Sequence, residues 1–93
     1  MVVIVGEVQL HLPESRSLKD KRQVLKSVKE RVRNRFNVSV AETDYLDLWQ
    51  RSTLAIAIVS TDVAHADDVL TKAVDFIESD GRVQILEVSV EQF

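Results

Sequence analysis

The sequence predicts an α+β fold in which residues 1–93 form a single domain, with two helices on one face of a four-stranded antiparallel sheet. Its length and its 45% hydrophobic and 29% charged residues suit one domain with one modest core. Four segments alternate apolar and polar residues with a period of two, and two longer segments have the three-four spacing of amphipathic helices. Together these segments follow the order β-α-β-β-α-β.

The chain begins with a predicted strand that leads into a predicted helix. Residues 2–12 alternate in the manner of a half-buried strand, and Pro13 ends this pattern. Ser15 or Ser17 is a suitable N-cap for a helix that extends to about Phe36. Apolar residues at steps of three, four and seven give this helix one face for the core.

The middle of the chain is predicted to form a hairpin. Asn37 is a suitable left-handed cap for the first helix. Alternating residues then predict strands at 38–44 and 53–60, joined by a wide turn at 45–52.

The last third of the chain predicts a second helix and a fourth strand. Thr61 or Asp62 is the expected N-cap, and Gly81 is expected just beyond the end of the helix. The final strand is predicted at residues 83–90. Its apolar phase shifts after Ile85, which indicates a β-bulge.

This order of elements is typical of the ferredoxin-like fold, with a predicted strand order of 4-1-3-2. Right-handed crossovers place both helices on the same face and leave the other face bare. The residues expected to be buried between the helices and the sheet are Leu18, Leu25, Val28, Val32, Leu54, Ile56, Ile58, Leu70, Val74 and Ile77.

Charge is distributed very unevenly along the chain. Nine of the twelve basic residues lie between Arg16 and Arg35 with only two acids, a net charge of +7, although the whole chain has a net charge of −3. Such asymmetry concerns partners rather than fold. The N-terminal residues do not resemble a signal peptide and no apolar run is long enough to span a membrane, so a cytoplasmic protein is expected.

Five of these basic residues form a predicted row along one flank of the first helix, about 21 Å long. We define the basic row as Lys19, Arg22, Lys26, Lys29 and Arg33. A row of this length suits the phosphates of RNA or of a ribonucleoprotein, which is the first functional hypothesis. An acidic protein is the alternative partner, and a merely solvated face is the simplest interpretation.

The remaining bases of the first helix are expected to pair inside the molecule. With antiparallel helices on one face of the sheet, the inner flank places Lys21 near Asp80, and Arg31 and Arg35 near Asp62. These pairs would use three bases and leave the basic row free.

Few residues suggest a catalytic, metal or cofactor site. Cysteine is absent, His11 and His65 lack metal-ligand spacing, and Gly6 and Gly81 belong to no phosphate-binding motif. A non-enzymatic protein without a cofactor or metal is therefore expected.

Three carboxylates, those of Glu42, Asp44 and Asp47, gather near the predicted hairpin. A pair of them suits acid–base chemistry. They are more simply explained as turn acids or as partners for the basic helix.

The predicted turn also contains Tyr45, Trp49 and Arg51, residue types that often anchor protein interfaces. These three residues are a candidate docking site for the acidic protein. The alternative is that Trp49 covers an edge of the core.

The bare face of the sheet is a second candidate interface. Small apolar residues without aromatics disfavour base stacking and favour burial against a second copy, so a homodimer through this face is expected. The residues on this face are Val3, Val5, Ala41, Ala55, Ala57 and Val59.

Three segments, residues 17–22, 34–42 and 47–51, resemble the YlxP-like family of small bacterial proteins. The first reads Ser-Leu-Lys-Asp-Lys-Arg, and the last reads Asp-Leu-Trp-Gln-Arg. The resemblance covers nearly the whole chain. It implies a ferredoxin-like fold and a gene neighbourhood shared with translation-initiation and ribosome-maturation factors, but no activity.

Overall fold

The computed structural model describes all 93 residues and confirms the predicted fold class. Its sheet is antiparallel, in the order β2-β3-β1-β4, which is the predicted order read from the other edge. The elements are β1 (Val2–His11), α1 (Leu18–Arg35), β2 (Ser39–Asp44), β3 (Arg51–Ser60), α2 (Val63–Glu78) and β4 (Gln84–Gln92). Neither helix is long and apolar enough to cross a lipid bilayer.

The core lies between the two central strands and the two helices. Alternate residues of β1 and β3 are buried, whereas every residue of β4 except Ile85 is exposed. Eight of the ten residues predicted to be buried are buried, and Leu18 and Val74 are half-buried instead. Leu18 is the first residue of α1, where the helix has only begun to cover the sheet.

Both helices begin at a predicted cap. The hydroxyl oxygen of Ser17 accepts the backbone N–H of Asp20 at 3.0 Å, and the Asp20 carboxylate accepts the N–H of Arg16 at 3.0 Å. The Asp62 carboxylate accepts the N–H of Ala64 at 3.2 Å and so caps α2. These bonds satisfy N–H groups that have no partner within the helix.

The predicted helix ends were less accurate. Asn37 does not adopt the left-handed conformation, and α1 ends instead at an extended Phe36. The extended backbone of Phe36 leads directly toward β2. Its ring packs edge-on against Phe76 of α2, with the centroids 5.9 Å apart. Gly81 also lacks a positive φ, because α2 is already closed by Ser79, whose N–H bonds back into the last turn.

The predicted β-bulge in β4 is confirmed. Gln9 of β1 pairs with Glu87, whereas the next residue, Leu10, pairs with Ile85. Leu86 is therefore the extra residue, and its side chain is exposed. The bulge explains the shift in apolar phase along this strand.

Close contact between α2 and the centre of the sheet depends on a glycine. A Cβ atom placed on Gly6 of β1 would lie 2.6 Å from Cδ1 of Leu70. Leu70 is buried on the inner face of α2. Glycine at this position thus allows the helix to lie directly on β1.

Candidate nucleic-acid interface

The side chains of the basic row are available to a ligand. Four of them are exposed and that of Lys29 is half-buried. None of the five residues takes part in any of the four salt bridges of the structure. The row therefore keeps its positive charge without an acidic partner in the fold.

The basic row runs beside the free edge of β2. At one end of the row, the Arg33 guanidinium donates a hydrogen bond to the backbone oxygen of Val40 at 2.6 Å. Near the other end, the first turn of α1 contacts the end of β2 through Lys21 and Glu42. Helix α1 and strand β2 are thus antiparallel, and the Arg33 end of the row lies against the strand.

The inner flank of α1 contacts α2, as predicted, but through different partners. Arg31 binds the Asp80 carboxylate at 3.2 Å, and the guanidinium groups of Arg31 and Arg35 lie 5.3 and 5.0 Å from the centroid of the Phe76 ring. The predicted pairing of both arginines with Asp62 is wrong. The Asp62 carboxylate caps its own helix, whereas Phe76 faces the end of α1 that holds both arginines.

Lys21 is the main surprise in this region. Its side chain is only 1% exposed, and its Nζ lies 2.9 Å from Oε2 of Glu42. The same ammonium donates to the backbone oxygens of Tyr45 at 2.8 Å and of Leu46 and Arg51 at 3.3 Å. These interactions connect α1 to both ends of the β2–β3 turn. A buried ammonium is tolerated when its donors are satisfied in this way.

The predicted pairing of Lys21 with Asp80 is therefore wrong. Asp80 binds Arg82 and Arg31 instead, and the hydrogen bond from the Arg82 guanidinium, together with the charge of both arginines, lowers the pKa of Asp80 to about 2. Lys21 lies at about 300° on the helical wheel, close to the centre of the apolar stripe at about 310°. It therefore points into the fold rather than toward α2.

The β2–β3 turn is held in place by several polar contacts. Tyr45 has a φ of 59°, the only positive φ among non-glycine residues, and its N–H donates to the carboxylate of Asp44 at 2.7 Å. The Arg51 guanidinium lies 4.7 Å from the centroid of the Tyr45 ring. The amide of Gln50 donates to the backbone oxygen of Ser15 at 3.0 Å, which connects the turn to the β1–α1 loop.

The turn presents apolar side chains to solvent. Leu46, Leu48 and Trp49 are all exposed, and Trp49 is 54% exposed. Trp49 does not cover the core, so that alternative is wrong, and its role in docking stays a prediction. Tyr45 and Arg51, in contrast, are half-buried against each other and support the turn.

The carboxylates near the hairpin do not form an acid–base pair. Glu42 accepts hydrogen bonds from Lys21 and, at 2.8 Å, from the hydroxyl of Ser52. Asp44 is engaged with the backbone of Tyr45. The simpler interpretation therefore holds for these two acids: Glu42 is a partner of the basic helix, and Asp44 is a turn acid.

The predicted apolar residues of the open face do share one face of the sheet. Val3 pairs with Val59, Val5 with Ala57, and Ala41 with Ala55. The β4 half of this face is acidic, however. Three carboxylates lie there, that of Glu7 on β1 and those of Glu87 and Glu91 on the paired strand β4. The expected homodimer contact is therefore apolar on one side and acidic on the other.

Lys21 was expected to pair inside the molecule and does so, but the sequence prediction missed its partner, Glu42. The position of Lys21 in the apolar stripe was the available signal, since a charged residue there must be paired or extend to solvent. Gln50 was also missed. Its role depends on the approach of two distant loops, which no local pattern reveals.

The three segments that resemble the YlxP-like family meet around the ammonium of Lys21, which belongs to the first segment. It pairs with Glu42 of the second segment and donates to the backbone oxygen of Arg51 in the third. Residues 3–90 match a family described as a protein of unknown function, DUF503. The chain belongs to this family. It is also 40% identical over 74 residues to the uncharacterized protein YlxP of Bacillus subtilis (strain 168), which covers 80% of each chain.

A similar solved structure agrees with the fold. The de novo designed protein Foldit4 aligns with a TM-score of 0.54 over 100% of this chain and 97% of the designed chain. The two sequences are 17% identical, so the similarity concerns the fold alone.

Proposed function

We propose that this protein is a non-enzymatic, cytoplasmic accessory protein that binds RNA or a ribonucleoprotein through the basic row. The observation that supports this proposal is the absence of any acidic partner for these five side chains within the fold. The resemblance to a family whose genes neighbour those of translation factors makes ribosomal RNA and ribosomal subunits the first ligands to test.

The geometry of the row suits a phosphate backbone. The row extends over about 21 Å, a length in which duplex RNA presents roughly a dozen phosphates. Five cations along one flank can contact about three to five of them. The net charge of −3 opposes loose association, so binding is expected only when the row faces the nucleic acid.

A protein partner is the second candidate, and the β2–β3 turn favours it. Leu46, Leu48 and Trp49 are exposed on a turn whose backbone is fixed by Lys21. A rigid exposed tryptophan is a typical interface anchor. The turn adjoins the start of α1, so an acidic protein would contact both Trp49 and the first residues of the row.

The test compares three variants for binding to ribosomal RNA, ribosomal subunits and proteins from lysate treated with ribonuclease. Lys26→Glu/Lys29→Glu should abolish RNA binding without unfolding the domain. Lys72→Glu is the matched control, because this exposed lysine lies on α2 and pairs with Asp68 at 2.9 Å. Trp49→Ala should have little effect on RNA binding.

The outcomes separate the two candidates. If the double variant binds RNA as well as the wild type does, the row is only a solvated face. A loss of protein capture in Trp49→Ala, with RNA binding unchanged in every variant, would instead favour the protein partner.

The homodimer through the open face remains a proposal of its own. It predicts that Val5→Lys or Ala57→Lys gives monomers, because a lysine would be buried without a partner at the contact. The acidic side chains of Glu7 and Glu91 oppose this contact in part. Sedimentation of both variants at high micromolar concentration tests it.

A further inference from the structure

Strand β4 has an apolar surface that nothing in the fold covers. The side chains of Val88 and Val90 are 37% and 52% exposed, although they lie on the same side of the sheet as the helices. Their neighbours on β1, Val8 and Gly6, are buried beneath α2. The apolar layer therefore continues past the helix to the edge of the sheet.

The backbone of β4 is unpaired along this edge. The N–H of Phe93 donates to the oxygen of Val3 at 2.8 Å, which makes them a hydrogen-bonded pair. Because such pairs alternate with non-hydrogen-bonded pairs in antiparallel strands, the N–H and C=O groups of Val88, Val90 and Gln92 point away from β1. The free backbone groups and the exposed valines thus belong to the same residues.

We propose that a second copy of this chain occupies the edge, with its β4 antiparallel to the first and Val90 facing Val90 at the centre. This register pairs Val88 of each copy with Gln92 of the other. It forms six backbone hydrogen bonds from the three outward residues on each strand. The valines of the two copies then form one apolar strip on the helix side.

Charge selects this register over its neighbours. Centring the pair on Ser89 would place Glu87 directly opposite Glu91 of the second copy, twice, and like charges in that position are destabilising. Centring it on Val88 would bring the bulged Leu86 into the ladder. With Val90 at the centre, Glu91 faces Ser89 of the second copy, and the remaining repulsion between carboxylates is weaker.

The opposite edge of the sheet is a poor alternative. Strand β2 has six residues against nine in β4, and its pairing with β3 is irregular between Glu42 and Asp44. The basic row lies beside it, so two β2 edges would bring two rows of like charge together. Pairing through β4 instead places the two rows on the outer edges of an eight-stranded sheet, with the β2 strands about 34 Å apart.

The decisive variant is Val90→Pro. Proline removes an N–H that points to solvent in the monomer, which an edge strand tolerates, but the same N–H is needed at the centre of the dimer. The expected result in sedimentation is a concentration-dependent dimer for the wild type and a folded monomer for Val90→Pro. Val90→Lys is a second variant with the same expected result, since lysine on an edge strand opposes pairing.

The control is Ser89→Pro, whose N–H points toward β1. It should lower the melting temperature, whereas Val90→Pro should change it little. Amide hydrogen exchange gives a direct measurement: exchange at Val88, Val90 and Gln92 should slow as the wild-type concentration rises. Exchange at these three amides that is independent of concentration would overturn the proposal.

Salt and charge provide an independent test. Glu91→Gln reduces the carboxylate repulsion and should strengthen the dimer several-fold, and added salt should strengthen the wild-type dimer. Binding of RNA by the basic row should weaken with salt, so the two associations respond in opposite directions. A dimer that survives in Val90→Pro and Val90→Lys but is lost in Ala57→Lys would assign the contact to the open face and overturn the edge pairing.

Discussion

Nζ of Lys21 lies 2.9 Å from Oε2 of Glu42, and this buried ion pair connects α1 to the last residues of β2. Because the same ammonium donates to backbone oxygens at both ends of the turn, one side chain fixes the helix and the turn relative to each other. Trp49 lies in this turn, and its side chain is exposed.

Removing the ammonium should destabilise the fold strongly. Lys21→Met leaves the Glu42 carboxylate without its cation and removes one donor from each of three backbone oxygens. Breaking a buried pair in this way typically costs about 3–5 kcal/mol. The free energy of unfolding, measured in urea, should fall by this amount. Lys19→Met, two residues earlier on the exposed basic row, is the control and should change stability by less than about 0.5 kcal/mol.

The double variant Lys21→Met/Glu42→Gln should recover part of the loss, because the uncompensated charge is then absent. Equal destabilisation in Lys21→Met and Lys19→Met would contradict the role assigned to the buried ammonium.

The contrast between these two lysines shows what periodicity can and cannot predict. Alternation and helical spacing depend on the neighbours of each residue, and they sufficed for all six elements, their order and the bulge at Leu86. The partner of Lys21 depends on where the β2–β3 turn passes α1. That position follows from packing between residues 24 positions apart, at Lys21 and Tyr45, which has no local signature.

Gly6→Ala should destabilise the protein through its contact with α2. The added methyl group would lie 2.6 Å from Cδ1 of the buried Leu70, so the helix or this side chain must move. Overpacking of this kind costs about 1–3 kcal/mol. Gly81→Ala is the control, because a Cβ there meets nothing within 4 Å. Thermal melts of both variants should show a loss for the first alone.

The free energy of unfolding should decrease in acid as the carboxylate of Asp80 becomes protonated. Its folded pKa is about 2, below its ordinary value of 3.8, mainly because Arg82 donates to the carboxylate. The stabilisation is therefore present above about pH 4 and is lost as the pH falls toward 2. We expect a contribution of about 1 kcal/mol, less than the full shift implies, because Arg82 and Arg31 are exposed and screened. Asp80→Asn should lower stability at pH 7 and flatten its dependence between pH 4 and 2.

The salt dependence of RNA binding should report the number of phosphates that the basic row contacts. With three to five contacts on a duplex, the logarithm of the affinity should fall against the logarithm of salt concentration with a slope of about −3 to −4.5. Lys26→Ala should reduce the slope by about one while leaving the melting temperature unchanged. A slope near zero would mean that phosphate contacts contribute little.

The location of the basic row was predictable from the sequence, whereas its lack of partners was not. Helical spacing places the five residues on one flank whatever surrounds them. Glu42 and Asp44 could have neutralised part of the row. Instead, Glu42 pairs with Lys21, and Asp44 accepts the N–H of Tyr45 in the turn. These two hairpin acids are thereby used elsewhere.

The pairing of β1 with β4 also has a consequence for how the chain folds during synthesis. His11 and Gln84 are neighbours in the sheet but lie 73 positions apart in sequence. At roughly 5–20 residues per second, the ribosome needs about 4–15 s to make the intervening chain. During that interval one side of β1 has no strand beside it, and the nascent protein is most exposed to association with other chains.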